Sequence, residues 1–138
     1  MEWTTHVDPV REFIYVAAWG TADFASIRAA QTAIGSHPLF RPHYSSIFDL
    51  RQLNFTPLRS SDVVSLGSHT AFVETARRVL VVGTAEHFGL ARMYQAHSAI
   101  NVGHRDSINV VYDLTDALDW LGLDALAIPA DGDLAPST

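Results

Sequence analysis

Arg77-Arg78-Val79-Leu80-Val81-Val82-Gly83-Thr84 is the stretch on which the fold turns. Residues 79–82 are an unbroken aliphatic run closed by a glycine. A strand with one wet face alternates apolar and polar residues, whereas a short continuous run belongs to a strand covered on both faces, as in a parallel sheet. The spacing therefore predicts a strand at 79–83 in the centre of such a sheet. Parallel neighbours need long crossovers, so helices are expected on either side of it. Downstream, 84–101 has helical composition and 107–112 is a further short apolar strand. Asp113 then opens a short helix whose Leu114, Ala117, Leu118 and Leu121 fall on one stripe, and Gly122 closes it.

Upstream, 44–50 is a strand running into Asp49-Leu50-Arg51, followed by a helix over 60–75 with Val63, Leu66 and Val73 on one side. Gly67 within that helix costs about 1 kcal/mol relative to alanine. A helix beginning at Thr21 carries Phe24, Ile27 and Ile34 until Gly35, and Pro38 forbids its continuation. The first strands, 3–7 and 13–19, flank Asp8-Pro9-Val10-Arg11 and form a hairpin. Both faces of 13–19 are apolar, which places that strand inside the sheet. The fold class is α/β: a mixed, mainly parallel sheet with an N-terminal hairpin and about four helices packed on it. Residues 1–122 form the domain, and 123–138, acidic and rich in small residues, form a C-terminal tail.

Composition removes whole classes of chemistry. The 138 residues include no cysteine, so disulfides, thiolate metal sites and cysteine nucleophiles are excluded. All nine basic residues are arginine, which excludes Schiff-base lysines and the lysine of a phosphate loop. Fifteen acids give a formal charge of -6 with no basic run, so nucleic acid is not an expected partner. The absence of a basic patch and apolar run near residue 1, and of any long apolar window, predicts a cytoplasmic protein without a membrane span.

His37-Pro38-Leu39-Phe40-Arg41-Pro42 leading into Ile47-Phe48-Asp49-Leu50-Arg51 resembles the SpoIIAA-like family, small relatives of the STAS domains of anti-sigma-factor antagonists. Arg77 to Val82, the helix start Phe88-Gly89-Leu90-Ala91-Arg92-Met93-Tyr94 and the closing Ala117-Leu118-Asp119-Trp120-Leu121-Gly122 agree with it. The resemblance implies a non-enzymatic binding or regulatory module acting through protein contacts, as a homodimer or with another protein. STAS antagonists carry a phosphorylatable serine after the Asp-Leu strand, but Pro57 and Leu58 stand where its aspartate and serine would fall. Ser60 or Ser61 could accept a phosphate at the helix start, although capping the helix is the simpler role. The same resemblance extends to a lipid-transfer fold, which implies the alternative of a carrier for a small apolar or lipid-like ligand.

Enzymatic use of the His87, Arg92 and Asp113 region is a lesser alternative. The stripe Leu90, Met93, His97 and Ile100 predicts that His97 is a core histidine. No catalytic residue, cofactor or metal is assigned, since no two of the seven histidines have the one-turn spacing of helical zinc sites. A ligand or partner surface is expected at the carboxyl ends of the strands, where Asp49, Arg51, Thr84, His87 and Asp113 gather, with Arg92 further along its helix. Trp120, off the main stripe of its helix, adds an expectation of self-association.

Overall fold

The computed structural model describes residues 1–73, 75–102, 107–129 and 135–136, with the side chains of 99–102 and 135–136 excepted. Its elements are β1 (Glu2–Asp8), β2 (Phe13–Thr21), α1 (Phe24–Gly35), β3 (Ser45–Asn54), α2 (Ser60–Gly67), β4 (Arg78–Val81), α3 (Ala85–Val102), β5 (Ile108–Val111), α4 (Leu114–Leu121), a 3-10 turn (Ala125–Ala127) and β6 (Ala135–Pro136). The strands lie in the order β5-β4-β3-β2-β1-β6. Strands β2 to β5 are mutually parallel, while β1 is antiparallel to both of its neighbours. The mixed, mostly parallel α/β sheet, its N-terminal hairpin and its four helices thus agree with the sequence reading. No described helix is long and apolar enough to cross a membrane.

The hairpin turn is fixed by Asp8, whose Oδ1 accepts the amides of Val10 and Arg11 at 3.0 Å each, and by Glu12 in the left-handed region at φ +53°. From β2 to β5 every crossover steps the same way across the sheet, and crossovers of one hand stepping one way deliver their helices to one face. Accordingly α1 and α3 pack over Trp3, Val16, Phe48, Leu80 and Val110. The other face presents Phe13, Tyr15, Ile47, Val79 and Val81, and α4 covers it with the expected stripe of Leu114, Ala117, Leu118 and Leu121. Part of the stretch read as a tail joins this second core: Leu123, Ala127 and Ile128 pack there, and Ala135–Pro136 pairs with β1. Trp120 is half-buried against the same cluster and covered by the Arg77 guanidinium, 3.8 Å from its ring centre.

Local departures from the sequence reading have identifiable causes. Strand β4 is buried throughout but lies next to the edge strand, and β3 and β2 take the central places, because β1 and β6 add beyond β2. Helix α1 begins after Asp23 and not at Thr21, since Gly20 and Thr21 still pair with Leu53 and Asn54. Asp23 accepts the Ser26 amide at 2.7 Å while the Ser26 hydroxyl accepts the Asp23 amide at 3.0 Å, a reciprocal cap. Neither Ser60 nor Ser61 caps α2; Arg59 is the cap residue, and its amide donates to Asp62 at 2.9 Å.

Two corrections concern the middle of the helix layer. Among the described side chains of α3 the buried ones are Ala91 and Ser98, one residue round from the expected stripe, and His97 is only half-buried. Ile100 and His104 fall where side chains lie outside the described residues. Helix α2 stops at Gly67 and does not reach residue 75. A Cβ at Gly67 would stand 3.0 Å from the His97 Cβ and 3.2 Å from the Ser98 nitrogen, so the glycine lets α3 cross directly against α2. Substituting Gly67→Val should therefore destabilise the protein by about 2–3 kcal/mol, overpacking outweighing any relief of glycine flexibility. Urea unfolding checks this, with a lowered midpoint at unchanged slope as the expected result.

Candidate functional site beneath the helix layer

The short α2 leaves space under the middle of the helix layer. A cavity of about 460 Å³ lies between the sheet and α1, α2 and α3. Val16 and Ala18 of β2, Phe48, Leu50 and Leu53 of β3, and Leu80 of β4 form its floor. Its roof is made by Ile27, Ala30 and Ile34 of α1, Val63 and Leu66 of α2, and Leu90, Ala91 and Tyr94 of α3. Even-numbered residues of the paired strands share this face, which is why one alternation supplies most of the floor. Thr32, Ser36, His69 and Ala71 are the exposed members of the wall, so the cavity meets solvent between α1 and the segment after α2.

Within this apolar wall, three buried nitrogens make no hydrogen bond: Trp3 Nε1, Arg78 Nε and His87 Nδ1. Buried polar atoms are satisfied in the great majority of cases, and each unmet one costs on the order of 1–3 kcal/mol. Arg78 is the most consequential. It is 4% exposed, donates from one terminal nitrogen to the Tyr94 hydroxyl at 3.0 Å, and reaches Ser98 Oγ at a long 3.5 Å. Its guanidinium also lies 5.2 Å from the Phe72 ring centre and 5.8 Å from that of Tyr94. None of the ion pairs among the described residues includes it.

The six surface positions expected from sequence separate into distinct roles. His87 enters the cavity wall, its ring edge-on to Phe55 at 4.9 Å between centres. Thr84 starts α3 by accepting the His87 amide at 3.1 Å, and Asp113 caps α4 by accepting the Asp116 amide at 2.8 Å. Arg92 is exposed on α3 and does not line the cavity. Asp49 and Arg51 come together, with Nε to Oδ1 at 2.9 Å and Nη2 to Oδ2 at 2.8 Å, while the Tyr15 hydroxyl donates to Asp49 at 3.1 Å. The strands β2 to β5 follow one another across the sheet without a reversal of order.

Sequence reasoning misses Trp3 and Arg78, which it places in a strand and at a strand flank, while Tyr94, like His87, lies on the third helix where it considers an anion-binding group. One signal is present: an arginine directly before a bare aliphatic strand can be drawn inside with it. Among the described residues no three His, Asp or Glu side chains gather as a metal ion would require. No protein-family model matches the chain, and no curated protein matches it.

Burial alone would raise the Asp49 carboxyl, but hydrogen bonds and charge from Arg51, helped by Tyr15, hold it below its ordinary value. Both oxygens are engaged, which fits the carboxylate to fastening β3 and not to receiving a proton. Because the folded value is depressed, this contribution to stability is present above the unfolded aspartate range near pH 4 and fades as pH falls through the folded value. Arg51→Ala should therefore cost about 1 kcal/mol at pH 7, a modest figure for a half-exposed arginine. The deficit should shrink by pH 2, and urea melts of both proteins across that range measure it.

Proposed function

We propose that this chain is a binding protein for a small, predominantly apolar molecule held between the sheet and helices α1 to α3. The observation that carries the reading is the cavity of about 460 Å³, whose interior is mainly aliphatic and aromatic, with Arg78 and His87 inside and Arg28, Gln31, Thr32, Ser36, His69 and Thr70 along its α1 and mouth side. Small-molecule sites have this size and this composition: an apolar body with a few polar groups that fix orientation. Between the two non-enzymatic roles suggested by the resemblance to the SpoIIAA-like family, carrier and protein-contact module, the cavity favours the carrier. A module that works through its outer surface has no use for unpaired donors inside. The enzymatic alternative loses support from geometry, since Arg92 is exposed away from the cavity and Asp113 is occupied as a helix cap.

The occupant enters between α1 and residues 69–71 and replaces solvent against Phe48, Leu50 and Leu80. Binding to the folded state alone raises stability by mass action, about 2.7 kcal/mol at a hundredfold excess over Kd. Nile red, a neutral apolar dye, should bind with enhanced fluorescence and be displaced by dodecanol. Ala30→Trp, which fills the cavity from α1, should abolish dye binding while the far-ultraviolet circular dichroism stays unchanged. Arg92→Ala should bind as the wild type does. Equal dye binding by the Ala30→Trp variant would contradict the proposal.

A further inference from the structure

We infer that the occupant is an apolar monocarboxylate whose head group is received by Arg78, an inference that rests on the carrier reading above. An arginine stays protonated at any pH at which the fold exists, so Arg78 is a permanent cation. Burying such a charge is tolerable only when it is paired and hydrogen-bonded. Here the partners are a phenol hydroxyl at 3.0 Å, a serine hydroxyl at 3.5 Å and two aromatic faces, with no carboxylate in any described ion pair and no partner for Nε. The guanidinium fork is made for two parallel hydrogen bonds to a planar oxyanion. A carboxylate supplies both the missing charge and the missing acceptor.

Position along the sheet gives the ligand a direction. Arg78 is level with Ile14 and Ser46 at the amino ends of the parallel strands. The carboxyl end of α1, with the exposed Thr32 and Ser36 of the cavity mouth, returns to that same end. The head group therefore sits near the entrance and the chain runs along β4 past Leu80 to Val82, a wall of about 13 Å at 3.3 Å per residue. Trp3 Nε1 and His87 Nδ1, the other two unpartnered nitrogens, lie toward the far end, beside the carboxyl ends of β2 and β4.

Dodecanoate and dodecanol share a chain and differ in the head group, so their competition against Nile red at pH 8 isolates the charge. The wild type should prefer dodecanoate at least tenfold. Arg78→Met, which removes the cation and keeps the stem, should lose the preference for the acid, the ratio of the two affinities within that variant falling to about threefold or less. Equal affinities in the wild type, or a preference that survives in Arg78→Met, would overturn the assignment to Arg78 while leaving the carrier intact. Failure of the wild type to bind either compound would overturn the carrier reading and this inference with it. A measurement that needs no variant is the carbon-13 carboxyl titration of bound dodecanoate: contact with Arg78 lowers its pKa relative to free acid, and an unshifted or raised value contradicts the contact.

Discussion

Crossovers of one hand that step one way across a parallel sheet have a single face on which to place their helices. In this chain β2, β3, β4 and β5 succeed one another without reversal, so the layer over that face must be assembled from α1, α2 and α3 alone. Among the described residues, the opposite face is covered by α4 and the turn beyond it, both downstream of β5. Most features of the molecule descend from this division. The α4 side closes tightly because its stripe matches the floor of Phe13, Ile47, Val79 and Val81. The three-helix side is spanned in the middle by the shortest of its helices, and Gly67 brings that helix hard against α3 at one end. Space is left beneath it.

The two faces also use their charged residues differently. On one side Asp49 and Arg51 join through two side-chain hydrogen bonds, with Tyr15 adding a third, and the group fastens β3. On the other, Arg78 is more deeply buried and less well partnered, in a wall built mainly of aliphatic and aromatic groups. A chain selected only for stability would replace such an arginine with an apolar residue at no loss, since buried charges seldom repay their desolvation. Retaining a cation in that place makes sense where something binds to it.

Much of this architecture is legible in the sequence. The Val-Leu-Val-Val run, the Asp113 cap, the Gly122 stop and the α4 stripe are local signals, and each forms the expected kind of element, Gly122 in the left-handed conformation at φ +73°, although the run stands beside the edge strand and not in the centre. Long-range effects are not legible. Residues 68–75 have a helix-compatible pattern, yet α2 ends at Gly67, where it packs directly against α3. The α3 stripe is shifted because small Ala91 and Ser98, and not the larger Leu90 and Met93, face the closest neighbours. His87 reaches the site from a sequence position that already points to it, whereas Trp3 and Arg78 belong to it through strand register, which periodicity alone does not supply.

The central claim is that the space under α2 receives a ligand. Methyl-resolved nuclear magnetic resonance on the intact protein tests it most directly, by intermolecular contacts between added dodecanoate and assigned methyl groups. The account predicts contacts from the chain to Leu50, Leu80 and Val82 on the cavity floor, and none to the exposed Val10 and Leu126. Contacts confined to Val10, Leu126 or other surface methyls would contradict it.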